Sequence, residues 1–201
     1  MMWYRCPLCG NWRSDQTIIE EWSAVVPPPA PEVKSVIIEP RSTALLILDM
    51  ENSICNNQRC IASISRIDNL LAQAREVDML VVYSLTHAGN ISDINHQLRP
   101  NPTDPIVKSN VDKFYKTDLE DILQKNHIRT VIVTGYAANG AVLHTATAAA
   151  FRGFHVVVPV DGMSAVNPYA EQYTAWHMLN SPGTRNQAVL TKTDFIVFTP
   201  F

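Results

Sequence analysis

Thr43-Ala44-Leu45-Leu46-Ile47-Leu48-Asp49 is an unbroken aliphatic run opened by a β-branched residue and closed by a carboxylate. It lacks the polar alternation of a half-exposed strand and is too short for an amphipathic helix. It therefore reads as a strand buried on both faces. Runs of the same kind recur at Met79–Tyr83, Thr130–Thr134, His155–Val160 and Phe195–Phe198, with a shorter one at Pro105–Lys108. Helical patterns lie between them. Ile64, Ile67, Leu71 and Ala74 repeat at helical spacing, and Leu119, Ile122 and Leu123 mark a second amphipathic segment. An Ala-rich helix over 139–152 is stopped by Gly153, and Asn167-Pro168 opens another that runs to about Asn180. Buried strands alternating with helices predict an α/β fold, its parallel sheet covered on both sides.

The chain has 201 residues, which suits one domain with appendages. Hydrophobic residues make up 46%, charged residues 17%, and the formal net charge is −3. No Lys/Arg cluster offers the basic footprint of a nucleic-acid binder or of a protein held to an anionic membrane. No apolar run approaches the ~20 residues of a transmembrane helix. Met1-Met2-Trp3-Tyr4-Arg5-Cys6-Pro7 has no basic segment followed by an apolar one, so a secretory signal is not expected and the cytoplasm is the default compartment.

Residues 1–35 stand apart as an N-terminal arm. They hold Trp3, Trp12, Trp22 and the stiff run Pro27-Pro28-Pro29-Ala30-Pro31. Three tryptophans on a polar tether are expected to pack on the domain or to cross to another subunit, so a homo-oligomer is expected. The domain proper spans 36–201. In the cytoplasm Cys6, Cys9, Cys55 and Cys60 should be reduced thiols or metal ligands. Cys6-Pro7-Leu8-Cys9-Gly10 looks like one zinc-knuckle turn, which supplies two of the four ligands a structural zinc wants. Cys55 and Cys60 would have to complete the set, yet they lack knuckle spacing, which weighs toward an unmetallated turn.

Ligands of open α/β sheets bind outside the C-terminal strand ends. The polar residues there are Asp49 with Glu51 and Asn52, Ser84 with His87, Lys108, the turn from Gly135 to Ala141, and Asp161. A carboxylate ending an all-aliphatic strand is desolvated. That raises its pKa and suits general acid or base work, although turn and N-cap aspartates occupy such positions too.

Three blocks together resemble the isochorismatase-like, or cysteine hydrolase, superfamily. They are Thr43–Asn52, Pro105–Ser109 with Phe114, Thr117 and Leu119, and Thr130–Ala146 followed by Ala148–Gly153 and the strand to Asp161. The resemblance covers residues 36–201 and leaves the arm without a counterpart. It implies a three-layer αβα, Rossmann-like fold with a mainly parallel six-stranded sheet and no cofactor. It also implies an Asp–Lys–Cys triad acting on a small-molecule substrate such as an amide. Asp49 and Lys108 take the first two positions. The nucleophile falls at Ala141, a methyl group that cannot attack anything. A cis peptide ahead of the anion-binding N–H groups would map to Tyr136–Ala137. Glu51, Asn52, His87, Phe114, Tyr136, Ala137 and Gly140 would line the substrate site.

Three readings of Ala141 follow. The protein is a hydrolase that needs no covalent step, a catalytically inactive binding protein, or a cysteine amidohydrolase carrying a Cys→Ala change. Gly140 also departs from the usual wording of the turn, which favours a natural alanine. Isochorismatases themselves lack the cysteine and use the Asp to protonate a vinyl ether before water attacks. Here Glu51 stands where the family usually has Gln, and a second acid beside Asp49 disfavours a dianionic substrate. The Asp-x-His pair that holds the metal of nicotinamidases is replaced by Ser53, Ile54 and Cys55, so no catalytic metal is expected.

Overall fold

The computed structural model describes residues 17–199 in full, preceded by the backbone of two short strands. Residues 1–30 and 31–201 form separate compact units. In the first, β1 (Trp3–Arg5) pairs antiparallel with β2 (Trp12–Ser14), Trp3 opposite Ser14. Trp22 lies exposed on a single 3-10 turn. Cys6 and Cys9, where the zinc-knuckle turn was expected, lie outside the described residues. The second unit begins at Pro31 rather than 36, because the Lys34 N–H already donates to the Leu190 carbonyl, at 2.9 Å.

The sheet is built around β4 (Thr43–Leu48), all of whose residues are buried. β5 (Leu80–Leu85) and β7 (Thr130–Tyr136) flank it in parallel, with Leu48 opposite both Ser84 and Gly135. β6 (Ile106–Lys108) forms one edge, and β8 (His155–Pro159) and β10 (Ala188–Thr191) complete the order β10-β8-β7-β4-β5-β6. A two-residue seventh strand, β9 (Met163–Ser164), pairs with the end of β7. β3 (Val36–Ile38) and β11 (Ile196–Phe198) form their own parallel pair. The fold class is thus α/β with a mainly parallel sheet, but the expected last strand at 195–198 lies outside the main sheet. Its place is taken by β10, whose four residues between Gln187 and Lys192 are too short a run to stand out.

Side chains of β4 alternate between two cores. Ala44, Leu46 and Leu48 join the face covered by α2 (Leu119–Lys125), α3 (Leu143–Phe151) and α4 (Pro168–Asn180). Leu45 and Ile47 pack with Ile64, Ile67 and Leu71 of α1 (Gln58–Glu76). Each fully buried Leu or Ile contributes about 1.5–3 kcal/mol, so β4 anchors both layers. The chain leaves β4 toward β5 and β6, then returns to β7 on the other side. The crevice where the order reverses lies beyond Leu48 and Gly135. Gly135 has φ +121°, and a Cβ there would sit 2.1 Å from the Leu48 carbonyl oxygen, so only glycine lets β7 pass this close to the end of β4.

Cys55 and Cys60 are joined by a disulfide with Cα atoms 5.3 Å apart, both buried against the α1 layer. This corrects the expectation of reduced thiols and removes both from any zinc site. Cys60 sits in the first turn of α1, its N–H capped by Asn57 Oδ1 at 3.1 Å, and the Cys55 N–H donates to the Glu51 carbonyl at 2.8 Å. The bond therefore ties the segment following Asp49 to the start of α1. Replacing both cysteines with serine is expected to cost about 2 kcal/mol in urea-unfolding stability. An unchanged unfolding midpoint would show that the cross-link contributes nothing.

Candidate active site

Asp49 follows β4 directly and adopts a left-handed backbone, φ 50°, which turns its side chain across the sheet end. Oδ1 accepts from Ser84 Oγ at 2.7 Å and Oδ2 pairs with Lys113 Nζ at 2.7 Å. Lys113 is fully buried; its ammonium also donates to the Ser109 carbonyl at 3.0 Å and to the Asn110 carbonyl. Three donors thus meet three acceptors, the condition for holding a charge out of water. Burial pushes the Asp49 carboxyl above its usual range. The Lys113 ammonium and the Ser84 hydroxyl pull it back without cancelling the rise, and Glu51 adds to it.

The lysine on Asp49 is therefore Lys113, which corrects the assignment to Lys108. Along β6, Val107 takes the buried position and Lys108 the exposed one, and the Lys108 ammonium donates to the Gly89 carbonyl at 2.7 Å. The chain then folds back. The Lys113 N–H donates to Thr145 Oγ1 at 3.2 Å, and that hydroxyl donates to the Val111 carbonyl at 3.3 Å. Thr145 lies on α3, one turn beyond Ala141, so α3 itself holds the segment that delivers Lys113.

Tyr136–Ala137 is cis, at the bond the resemblance indicated. Ala138–Val142 makes one π-type turn ahead of α3, with Gly140 non-helical at φ −114°, ψ −106°. The Gly140 and Val142 N–H groups both donate to the Ala137 carbonyl, at 2.9 and 3.3 Å. Ala141 is buried. A Cβ on Gly140 would lie 3.8 Å from Val111 Cγ1, so the lysine-bearing loop closes over this turn.

Glu51 is fully buried and accepts from the Thr86 N–H at 2.9 Å and the Thr86 hydroxyl at 3.1 Å. A Cβ on Gly89 would fall 1.8 Å from Glu51 Oε1, so this carboxylate clamps the 86–89 loop against the end of β4. A cleft of about 480 Å³ opens beside it, lined by Glu51, Ser53, Thr86, Gly89, Asn90 and Asp93 among others, but not by Asp49 or Lys113.

The remaining expected site residues scatter. Asn52 is exposed and bridges to the 93–95 segment, and His87 is exposed on its loop. Phe114 lies in the core against Phe154, under the Arg152 guanidinium, because the residue after Lys113 points into the sheet-covering layer. Tyr136 packs toward the α1 side. Asp161 accepts from the N–H and hydroxyl of Thr193, a structural tie. Sequence reasoning placed Ser84 only among the strand-end residues and missed Lys113 altogether. The available signal for Lys113 was its place directly before the core residue Phe114.

The family profile described as "Isochorismatase domain" matches residues 43–194. The secreted isochorismatase effector of Verticillium dahliae is 26% identical over 151 residues, covering 65% of this chain and 80% of that protein. An isochorismatase family protein of Bacillus subtilis is 26% identical over 160 residues, 68% of this chain and 88% of its own length. Among solved structures, a cysteine hydrolase from Pseudomonas syringae superposes with a TM-score of 0.70 at 20% identity, over 83% of this chain and 95% of that one. No helix among the described residues is long and apolar enough to cross a membrane. The match runs from the first residue of β4 through Asp49, the 109–117 loop, the cis turn and α4, and on that ground the chain belongs to the isochorismatase domain family.

Proposed function

We propose that the protein hydrolyses a small molecule by acid–base chemistry at Asp49, with Lys113 as its charged partner and no covalent intermediate. The supporting observation is the Ser84–Asp49–Lys113 cluster beside a turn, Ala138-Asn139-Gly140-Ala141-Val142, that carries neither thiol nor hydroxyl. A carboxyl whose pKa is raised by burial keeps its proton into the range where proton donation is useful. Asp49 gives that proton to the substrate, water attacks the electron-poor carbon that results, and the proton lost by that water restores the acid. Ser84 and Lys113 hold the carboxylate in register through the cycle. Glu51 places a second negative group beside Asp49, which selects against a dianionic substrate.

A second reading is favoured by the closure of the site. Asp49 is 5% exposed and Lys113 0%, so the pair faces no open cleft, as suits a catalytically inactive member of the family that binds its ligand nearby. One experiment separates the readings, and also tests for a lost cysteine enzyme. Vinyl ethers, esters and amides are screened with the wild type, with iodoacetamide-treated wild type and with Ala141→Cys. Turnover that survives alkylation supports acid–base hydrolysis. Turnover that arises only in Ala141→Cys identifies a cysteine amidohydrolase without its sulfur. Ligand binding without turnover in any form gives the binding-protein reading.

A further inference from the structure

The outer face of the α3–α4 layer carries aromatic surface that neither the proposed chemistry nor the core uses. α3 presents His144 and Phe151 outward on one side of the helix, and α4 presents Tyr169, Tyr173 and Trp176 at spacings that share a face. The two helices are stitched together beneath this surface. Thr147 Oγ1 meets the His177 ring at 3.2 Å, and the other ring nitrogen of His177 meets Ser181 Oγ at 2.9 Å. Tyr173 stacks on Trp176 with centroids 6.4 Å apart and tilts against His177 at 5.9 Å. Phe151 abuts Gly183, just past the end of α4, so closely that a Cβ there would lie 2.3 Å from its ring. Tyr173, Trp176 and His177 thus form one aromatic cluster on α4, with Phe151 of α3 seated against the segment just past that helix.

Its exposure is large for such residues: Phe151 69%, Tyr169 59%, Trp176 41% and Tyr173 40%. Four aromatic side chains of this size, half exposed, present about 400 Å². That is roughly half of the ~800 Å² per partner in a stable interface, and it has the aromatic composition of an interface centre. Two of the charges flanking it are already engaged, Arg152 with Glu120 and Glu171 with Arg59. None of the exposed positions of α3 and α4, Gln172 and Asn180 included, carries a fixed charge. The face is thus aromatic rather than ionic.

We infer that a second copy of this chain docks on the α3–α4 face, its α4 aromatic row packing against the same row across a twofold axis. A row of aromatics is self-complementary under such an axis, because offset stacking and edge-to-face contacts are available to both copies alike. The inference does not depend on the hydrolytic reading, and it gives the expected homo-oligomer an interface within the domain rather than through the arm.

The test is sedimentation velocity on the full-length chain at ~10–50 μM. The wild type is expected to sediment as a dimer or a multiple of it. Tyr173→Glu with Trp176→Glu should weaken association at least ~30-fold, as loss of central aromatic anchors does. Ile61→Glu, at an exposed position on α1, should leave it unchanged. Phe151→Glu repeats the test from α3, so a folding failure of the α4 variant, read by circular dichroism, leaves a second arm to decide. A monomeric wild type overturns the inference, and covering of the face by residues 1–30 of the same chain would give that result. An oligomer that persists in a folded variant carrying either set of substitutions overturns it equally.

Discussion

Asp49→Asn is expected to lower kcat/KM on the protein's substrate by at least ~100-fold, the usual scale of a lost general acid–base group. Asparagine matches aspartate in size; its Oδ1 accepts from Lys113 Nζ and its Nδ2 donates to Ser84 Oγ, so the cluster keeps its shape while losing its exchangeable proton. The pH profile gives a second readout. The Asp49 carboxyl is held above the ordinary carboxylate range, first by burial. As the proton donor it is active below that raised pKa, and activity falls as pH rises through it. This limb should lie above the position of an unperturbed aspartate and should be absent from any residual activity of Asp49→Asn. The linkage to stability has the same sign. A folded pKa above the unfolded one means the native state binds this proton more tightly, so the contribution is present at low pH and is lost as pH climbs through the raised value. Full activity in Asp49→Asn would remove Asp49 from the chemistry.

Lys113→Met should be the most destabilising substitution at the site, at about 3–5 kcal/mol, the usual cost of stripping a buried charge of its partner. Methionine fills much of the lysine's volume, so packing is nearly kept. The ammonium's three acceptors, Asp49 Oδ2 and the carbonyls of Ser109 and Asn110, lose their donor inside the protein. Asp49 answers by holding its proton to a still higher pH, so the loss deepens as pH rises. In thermal unfolding a domain of this size should melt about 10 °C lower. Lys108→Met is the contrast, removing from a partly solvated position one hydrogen bond to the Gly89 carbonyl, a change of about 1 kcal/mol or less. If Lys108→Met were the damaging change and Lys113→Met silent, the lysine assignment would revert to Lys108.

Aliphatic density made the centre of the fold legible. β4, β5, β7 and β8 each hold an unbroken run of at least three aliphatic residues, and burial on both faces is the environment such runs suit. Asp49 was legible for the same reason, as a charge at the end of a buried strand, and the cis bond at Tyr136–Ala137 came from the family resemblance. What escaped depends on the path of the chain between strands. Lys108 and Lys113 are equally plausible by spacing. The choice between them turns on Val107 taking the buried side of β6 and on Thr145 pinning Val111 and Lys113 to α3, neither of which has a local signature. β10 was hidden by its shortness. The Cys55–Cys60 bond was hidden because pairing depends on the loop ahead of α1 bringing the two Cα atoms to 5.3 Å. Glu51 was expected to meet substrate; it lines the cleft beside Thr86, and its bonds to Thr86 add a second role, mooring the 86–89 loop, that has no local signature.

The position of β4 in the middle of the sheet bears on how the protein is made. β4 is the first strand of the main sheet to leave the ribosome, and it gains its second neighbour only when β7 follows; the bond from Thr134 Oγ1 to the Leu46 carbonyl spans 88 residues. At ~5–20 residues per second, that interval lasts on the order of 10 s. Throughout it one edge of an all-aliphatic strand is unpaired, and such edges pair with whatever strand is near. Lys113 emerges before β7 does, so both charges of the site exist well before the strand and helix that confine them. A chain stalled or cleaved before residue 130 would carry Asp49 and Lys113 together in water, where their mutual attraction is worth little, beside a sticky half-sheet. Yield on expression should therefore follow elongation rate and chaperone supply more closely than it follows the stability of the finished domain.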